Sequence, residues 1–268
     1  MQLPFLGTAA AEGYPSPFCE CDHCAEARRR GGRSLRLRSA LLVNDDLLVD
    51  CNDIVASCAL YGIALATIET LLITHAHEDH LDPVELGWRR PPFTRTALPM
   101  LRIYGPADAM ARIEQARTGW DEDARCTTEA VRPGAVWASG RYRMAAFLAS
   151  HGTELPLIYA IEDGERRVLY STDTGRYGDA TWAAIRAHSY DAVILDETMG
   201  TRSASMHMGM DDVIACRQAF EQEGLLRPGA HVIAHHFSHG ANPCHEELVR
   251  LLAPHGIEVA YDGWRLTL

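Results

Sequence analysis

Short apolar runs alternate with stretches of helical periodicity along the whole chain. Runs that predict β-strands lie at 2–6, 40–43, 47–49, 71–73, 101–104, 142–148, 157–161, 168–170, 192–195, 232–234 and 263–266. Apolar residues at helical spacing predict α-helices at 54–61, 83–88, 107–117, 179–187, 211–223 and 245–252. The first half pairs its strands like hairpins, and the second half repeats that rhythm. Two mixed β-sheets covered by helices on the outside are the simplest layered arrangement.

Local signals support these elements and predict one domain. The Asn44-Asp45-Asp46 stretch is typical of a turn between strands. Asp82, Pro83 and Glu85 supply an N-cap, a first-position proline and an acid, which predict a helix start. The stretches 91–93 and 119–134 are typical of surface loops. No residue-level repeat or linker divides the 268 residues, so we expect a single domain over 1–268.

Composition narrows the class of protein. Hydrophobic residues at 47% and charged residues at 23% are ordinary for a soluble globular chain. The net charge of -11 argues against a large non-specific nucleic-acid surface. No apolar stretch approaches the roughly 20 residues that span a bilayer, and residues 1–7 lack the basic leader of a signal peptide. We therefore expect a cytoplasmic protein without a membrane segment.

The segment THAHEDH, residues 74–80, lies between an apolar run and the predicted helix start. His75 and His77 are two positions apart and point the same way in extended backbone, and Asp79 and His80 follow where the chain turns. Imidazole and carboxylate together suit zinc, manganese or iron better than calcium. The spacing is not the H-E-x-x-H of a helical zinc protease. Three histidines in six positions are hard to explain as ordinary polar residues of a surface loop. The segment therefore predicts metal binding, and two neighbouring metal sites could share it.

Other ligand-type residues also follow apolar strands. His151, Asp173 and the pair His235 and His236 each come directly after such a run or close to it. Taken alone, each is more typical of a hydrogen-bonded structural residue. Their common placement at strand ends favours one shared site. Spacing alone leaves open whether His235 or His236 faces it.

These motifs resemble the metallo-β-lactamase fold hydrolases, whose hallmark T-H-x-H-x-D-H is filled at 74–80. The resemblance covers nearly the whole chain and implies their αββα fold. It is strongest to the PhnP-type phosphodiesterases of the carbon–phosphorus lyase pathway and to the related tRNA 3′-processing nucleases. Further supporting stretches are FLGT at 5–8, CECDHC at 19–24, LVD at 48–50, YGP at 104–106, STDT at 171–174, MHM at 206–208 and HFSH at 236–239.

The resemblance implies two metal sites. One metal would be bound by His75, His77 and His151. The second would be bound by Asp79, His80 and His236, with Asp173 bridging both. Such a pair can hold a hydroxide and polarise a phosphoryl oxygen.

Further roles are implied by the same resemblance. His207 would be the general acid for the leaving oxygen, and Asp79 joins it as a catalytic residue; from sequence alone, His207 would be an exposed loop histidine. The H-x-S-H pattern selects His236, and His235 stands where the family has a small residue. Asp50 would orient the histidine loop without binding metal, or else serve as a buried cap.

The cysteines are unevenly distributed. Cys19, Cys21 and Cys24 cluster, and in a reducing compartment a tight cluster favours metal over disulfides. A closed structural zinc site needs a fourth ligand. Resemblance to the PhnP type points to His239, rather than His23 inside the motif. We expect an N-terminal zinc-binding loop at 19–24, the alternative being free thiols or an opportunistic disulfide.

The expected function is a binuclear-metal-dependent phosphodiesterase. It would hydrolyse a small cyclic phosphate or nucleotide-like phosphodiester with a metal-bridging hydroxide. One alternative is another hydrolase of this fold, acting on a lactone or thioester, and His207 weighs against it. The other is a non-catalytic PqqB-like protein of cofactor biosynthesis, which the complete ligand set disfavours.

The expected cofactors are two divalent ions, Mn²⁺, Zn²⁺ or iron, and one structural Zn²⁺. The expected partner is a small substrate, and a homodimer is compatible with an enzyme of this kind. Nucleic acid is disfavoured by the acidic balance and by Asp121, Glu122 and Asp123, which would repel RNA. The arginines between 28 and 38, and Trp88-Arg89-Arg90, are typical of a solvated face, although either run could contact substrate.

Overall fold

Two seven-stranded β-sheets make up the centre of the computed structural model, which describes residues 1–120 and 123–268. The first sheet contains β1 (Gln2–Gly7), β2 (Ala40–Val43), β3 (Leu47–Val49), β4 (Thr70–Leu72), β5 (Leu101–Gly105), β6 (Cys126–Ala130) and β14 (Arg265–Thr267). The second contains β7 (Val136–Ser139), β8 (Tyr142–Leu148), β9 (Leu157–Glu162), β10 (Arg167–Ser171), β11 (Tyr190–Asp196), β12 (Leu226–His235) and β13 (Glu258–Val259).

The two sheets repeat one pairing pattern. The orders are β14-β1-β2-β3-β4-β5-β6 and β7-β8-β9-β10-β11-β12-β13. In each sheet the first three neighbouring pairs are antiparallel and the last three are parallel, so the fourth strand, β3 or β10, belongs to both sets. Because parallel strands share a carboxyl edge, the loops after β3 and β4 gather at one edge, and those after β10, β11 and β12 gather at another.

Seven helices lie among the described residues: α1 (Asp22–Arg30), α2 (Ile54–Tyr61), α3 (Pro83–Gly87), α4 (Ala107–Arg117), α5 (Asp179–Ile185), α6 (Met210–Gln222) and α7 (His245–Leu252). Asp82 caps α3 by accepting a hydrogen bond from the Val84 amide at 3.0 Å, as its position predicts. None of the helices in 1–120 or 123–268 is long and apolar enough to cross a membrane.

Alternating side chains divide the core into layers. Along β10 and β11, Val168, Tyr170 and Ile194 face the other sheet, and Leu169 and Val193 face the outer helices. The cluster between the sheets draws on both of them. Separate clusters join the second sheet to α6 and α7, and the first sheet to α4. The predicted sandwich of two mixed sheets flanked by helices is confirmed.

Four elements are missing from the sequence-based predictions, and predicted bounds differ at others, such as 232–234 for β12 and 263–266 for β14. The predicted loop 119–134 contains β6, whose sequence CTTEA is largely exposed and so carries little apolar signal; Asp121 and Glu122 of that loop lie outside the described residues. Strands β7 and β13 were not predicted, because β7 is half exposed and β13 has two residues. The cysteine motif runs into α1, so Cys24 lies on a helix and not in a loop.

The carboxylate of Glu85, on α3, lies where its ionised form is poorly stabilised. Its Oε2 atom is buried and accepts no hydrogen bond from the described residues. It lies in an apolar groove beside Cys51, Cys58 and Leu86. Burial, aided by two nearby acids, raises the pKa of Glu85 to about 7. The ionised form therefore disfavours the folded state.

We predict that Glu85→Gln stabilises the protein at pH 8 more than at pH 5. The wild-type penalty is absent below the unfolded pKa of about 4.3, grows as pH rises from there, and is complete once pH has passed the folded pKa. Because the side chain is partly exposed, we expect a difference of roughly 1 kcal/mol between the two pH values. Urea unfolding at both pH values measures it. Glu129→Gln, on exposed β6, is the matched control, and an equal effect of Glu85→Gln at both pH values would contradict the prediction.

Candidate metal centres

The histidine loop begins where β4 ends and is held by the carboxylate that follows β3. Asp50 accepts a hydrogen bond from the Thr74 amide at 2.9 Å, and its Oδ2 lies 2.7 Å from His80 Nδ1. Asp50 is fully buried. It therefore fixes both ends of the loop and turns His80 Nε2 toward the centre of the site, which is the orienting position expected from the sequence.

The second sheet supplies the rest of the site from its own strand ends. His151 follows β8, Asp173 follows β10 and His236 follows β12. Asp50, Asp173 and His236 have φ angles of +63°, +57° and +65°, in the left-handed region that non-glycine residues seldom adopt. Such backbone strain persists where surrounding structure enforces it, and it clusters at functional sites.

One group of ligand-type atoms comprises His75, His77, His151 and Asp173, all within 4.8 Å of one another. His77 Nδ1 lies 2.9 Å from His75 Nε2 and 3.1 Å from His151 Nε2. His75 Nε2 lies 3.2 Å from Asp173 Oδ2. The predicted members of the first site are thus brought together.

A second group comprises Asp79, His80, Asp173 and His236, again within 4.8 Å. His80 Nε2 lies 3.3 Å from His236 Nε2, 3.3 Å from Asp79 Oδ2 and 3.1 Å from Asp173 Oδ2. The same Asp173 oxygen therefore faces both groups. That it bridges two metal ions stays a prediction.

The atoms in both groups fit divalent cations better than hydrogen bonding. A single proton on His77 Nδ1 can satisfy only one of its two contacts with imidazole nitrogens. Ligand atoms about 2.0–2.1 Å from a tetrahedral ion lie roughly 3.3 Å from one another, which is close to the distances seen here. Asp173 Oδ1 is buried and, among the described residues, accepts no well-aligned hydrogen bond, although His207 Nδ1 lies 3.0 Å away. Burial, reinforced by His80, lowers the pKa of His75 to about 4, which leaves its nitrogen available as a ligand.

The charges of the buried groups also favour a bound cation. Burial alone would lower the pKa of His80, but Asp50 and Asp79 raise it well above its usual range. Burial would raise the pKa of Asp79, but His80 holds it well below its usual range. The buried carboxylates thus require positive charge at this point, which a metal ion can supply.

His207 lies beside the shared carboxylate, and Asp196 holds it there. His207 Nδ1 is 3.0 Å from Asp173 Oδ1 and 3.3 Å from Asp196 Oδ2. Burial would lower its pKa, but the two nearby carboxylates raise the pKa of His207 to about 10. Asp196 Oδ1 also accepts from the amides of Thr198 and Met208, at 3.0 and 3.1 Å.

Sequence reasoning missed Asp196. Like Asp173, it is an acid at the carboxyl end of a buried strand, here β11. That shared placement was the signal that could have identified it. Its close position among Asp173, His207 and His236 forms a third group of ligand-type atoms that overlaps the other two.

His235 faces away from the ligand groups. It is fully buried, and its nitrogens lie 3.1 Å from the Gly7 carbonyl oxygen and 3.2 Å from Ser39 Oγ. Burial lowers its pKa well below the usual range. His235 is therefore a neutral residue that joins the two sheets, and geometry agrees with the selection of His236.

The cysteine cluster forms a separate group. Cys19, Cys21, Cys24 and His239 place their ligand-type atoms within 4.8 Å of one another, and His239 Nδ1 lies 3.6 Å from Cys21 Sγ. Burial opposes ionisation of Cys21, but hydrogen bonds from the Cys24 amide and from His239 lower its pKa to about 6. His23 lies outside the group, with Nδ1 2.9 Å from the His239 carbonyl oxygen. Three sulfurs and one nitrogen match a structural zinc site.

Two of the arginines between 28 and 38 have contacts that stabilise the fold. Arg28 donates to the carbonyls of Cys19 and Ser16 at 2.8 Å and so holds the cysteine loop. Arg36 is buried and donates to Thr8 Oγ1 at 2.7 Å. These contacts give Arg28 and Arg36 a structural role, whereas Arg29, Arg30 and Arg33 are exposed.

Arg89 and Arg90 also have contacts within the chain. Arg89 donates to the carbonyls of Ala124 and Pro99, at 3.1 and 2.8 Å. Arg90 stacks over the Trp120 ring at 4.8 Å. These contacts attach the segment after α3 to the loops that contain Pro99, Trp120 and Ala124.

Comparisons with known proteins agree with this architecture. A diphosphatase from the PhnP family is 21% identical, with a TM-score of 0.78 over 100% of this chain and 97% of that one. Zinc-bound PqqB from Methylobacterium extorquens is 20% identical, with a TM-score of 0.78 over 100% of both chains. The short form of human tRNase Z is 17% identical, with a TM-score of 0.69 over 100% of this chain and 99% of that one. At these identities the likeness establishes the fold.

No curated protein sequence matches the chain. A family model described as "Beta-lactamase superfamily domain" matches residues 48–237, which is most of the chain and includes every member of the two ligand groups. Taken with the two mixed sheets and their flanking helices, this match shows that the chain belongs to the β-lactamase superfamily of metal-dependent hydrolases and has the metallo-β-lactamase fold.

Proposed function

We propose that this protein is a binuclear-metal-dependent phosphodiesterase that hydrolyses a small cyclic phosphate or a nucleotide-like phosphodiester. The observation that carries the proposal is the position of His207, 3.0 Å from the one carboxylate that both ligand groups share. A proton donor beside a two-ion site suits a reaction in which an alkoxide leaves from phosphorus.

The ligand groups would hold the ions. One would be bound by His75, His77, His151 and Asp173, and the other by Asp79, His80, His236 and Asp173. When bound, two such ions lower the pKa of a water between them and polarise a phosphoryl oxygen. The mixture of imidazole and carboxylate accepts Mn²⁺, Zn²⁺ or iron. The cysteine cluster would hold one structural Zn²⁺.

His207 would serve as the general acid. Asp196 engages its Nδ1, which leaves Nε2 to face the substrate. The side chain is 22% exposed, so it can reach a bound diester while keeping contact with both carboxylates. Asp173 and Asp196 favour its protonated form, which donates to the leaving oxygen and offsets negative charge on phosphorus.

Asp79 would act as an ionised carboxylate in the second ligand group, because His80 holds its pKa well below the usual range. It contacts His80 Nε2 at 3.3 Å and is 9% exposed. Asn52 donates to the Asp79 carbonyl and fixes its backbone. Asp79 can therefore accept a hydrogen bond from an attacking water at the rim of the second group.

A small substrate fits the surface better than RNA. Arg28 and Arg36 hold the cysteine loop and the core, and the net charge of -11 disfavours binding to a nucleic-acid backbone. A cytoplasmic location and a homodimer stay predictions. The similarity to PqqB is consistent with a non-catalytic protein, but such a protein would not need a proton donor beside a complete ligand set.

We predict that the protein hydrolyses bis(p-nitrophenyl) phosphate when reconstituted with Mn²⁺ or Zn²⁺, and that a panel of cyclic phosphates identifies better substrates. His207→Ala should lower kcat about 10²–10⁴-fold on the cyclic phosphates, because their alkoxide leaving oxygen loses its proton donor. The loss should be smaller on bis(p-nitrophenyl) phosphate, because p-nitrophenolate leaves without a proton. His231→Ala, a half-exposed histidine paired with Glu258, should stay near wild type. If wild type binds two metals but cleaves no diester, the phosphodiesterase proposal is wrong, and lactones and thioesters are the next substrates to assay.

We predict that Asp173→Asn lowers the active-site metal content of the purified protein, because one substitution removes the carboxylate facing both groups. Elemental analysis by mass spectrometry measures the metal per chain after dialysis. Asp179→Asn, at the start of α5, is the control for loss of one negative charge. Wild-type metal content in Asp173→Asn would show that Asp173 is not a shared ligand.

We predict that Cys21→Ser removes one zinc per chain and lowers Tm by roughly 5–10 °C, since a structural zinc site contributes folding free energy. Cys58→Ser, on α2 outside the cluster, should keep the zinc. Unchanged zinc content and Tm in Cys21→Ser would instead favour a set of free thiols at this position.

A further inference from the structure

A tight turn, residues 238–242, connects the cysteine cluster to the second ligand group. It follows His236 closely and contains His239. The Ser238 carbonyl accepts from the amides of Ala241 and Asn242, at 3.3 and 3.0 Å. The turn therefore has a fixed shape between the cysteine cluster and the second ligand group.

The turn is tied to the N-terminal segment on the side of the cysteine cluster. Ser238 Oγ donates to Glu12 Oε1 at 2.6 Å, and His239 Nε2 lies 3.5 Å from the same oxygen. His239 Nδ1 faces Cys21. A carboxylate on one imidazole nitrogen and a metal ligand group on the other is the arrangement that orients metal-binding histidines.

On its other side the turn carries Asn242, which is fully buried. Its Nδ2 donates to the Glu197 carbonyl at 3.1 Å and to the Thr198 carbonyl at 3.0 Å. Two carbonyl oxygens can be paired only by an NH₂ group, so these partners fix the orientation of the amide. Asn242 thus clamps the backbone that follows β11.

That clamped segment orients two site histidines. Thr198 Oγ1 donates to the His236 carbonyl at 2.9 Å and lies 2.8 Å from His236 Nδ1. Because the hydroxyl proton is used on the carbonyl, Nδ1 must donate to Oγ1, which leaves Nε2 of His236 free to face the ligand group. Two residues earlier, Asp196 holds His207.

Close packing leaves the segment little freedom. A Cβ on Gly200 would lie 2.2 Å from the Ala241 carbonyl oxygen, and the φ angle of Gly200 is +55°. The Met210 amide donates to the Gly200 carbonyl at 2.7 Å, which closes the loop that carries His207. A shift of the 238–242 turn would therefore move that loop as well.

We propose that Asn242 is a positioning residue for the active site: by clamping residues 197 and 198 it fixes the ring orientation of His236 and the placement of His207. This inference rests on the proposed metal-dependent function. It also makes the cysteine cluster a support for the active site, since His239 and Asn242 share one turn.

The test compares wild type with Asn242→Ala and Asn242→Asp. The Asn242→Asp substitution keeps the side-chain shape but places an acceptor oxygen against two carbonyl oxygens. It should therefore lower metal affinity and kcat at least as much as Asn242→Ala does. The first readout is the affinity for Mn²⁺ and Zn²⁺ by chelator competition. Loss of a group that orients a metal ligand typically costs about 10–100-fold in metal affinity, and we expect that loss for one of the two active-site ions.

The second readout is the steady-state kinetics of hydrolysis of the best cyclic phosphate from the panel, whose leaving alkoxide needs a proton, at saturating metal. We expect kcat to fall roughly 10–100-fold with KM little changed, because His207 is displaced from the leaving oxygen while the metal-binding surface is filled. Thr70→Ala is the matched control. It removes a buried hydrogen bond of 2.8 Å to Ser139 at the start of β4, at the opposite end of that strand from the histidine loop.

The outcomes separate the two proposals. Metal binding without diester hydrolysis in wild type overturns the proposed function, and the affinity comparison still decides the role of Asn242. Wild-type metal affinity and kcat in Asn242→Ala, or equal losses in Thr70→Ala, overturn the positioning role. Should Asn242→Ala not fold, Asn242→Ser, which keeps a small hydrogen-bond donor, replaces it and is expected to show an intermediate loss.

Discussion

The structure depends on one constraint: buried imidazoles and carboxylates converge on a small volume at the ends of two β-sheets, and hydrogen bonding alone cannot satisfy them. His77 Nδ1 faces two other imidazole nitrogens within 3.1 Å. Asp173 presents one oxygen to both ligand groups. Buried charge of this kind is expensive unless it is paired, and divalent cations are the partners that suit this set of ligands.

The fold brings these side chains together, and it does so with strained backbone at three of them. Each sheet ends in parallel strands, so its functional residues lie on loops at one edge. Asp50, Asp173 and His236 then leave their strands in the left-handed backbone region. Neighbouring hydrogen bonds stabilise these conformations: Asp50 accepts from Thr74, and Thr198 contacts His236. A second layer of polar residues therefore maintains the geometry of the first.

Much of the fold and the ligand set could be predicted from the sequence, because both depend on local patterns. Alternating apolar residues predicted β8 with its observed bounds, and THAHEDH placed four ligand-type side chains within seven positions. Helix α1 was missed because its sequence DHCAEARRR has few apolar residues to show a helical period. Asp196 and Asn242 were missed because their importance comes from contacts with residues distant in sequence, such as His207 and Thr198. A single sequence does not specify which carbonyl a buried amide will meet.

The most direct test of this account is anomalous diffraction from crystals of the protein grown with Zn²⁺ and, separately, with Mn²⁺. The account predicts two peaks roughly 3.5–4 Å apart, one in each ligand group with Asp173 between them, and a third peak for Zn²⁺ within the cysteine cluster. A single peak at the active site, or none among His75, His80 and Asp173, would contradict the claim that this arrangement of strand ends exists to hold two metal ions.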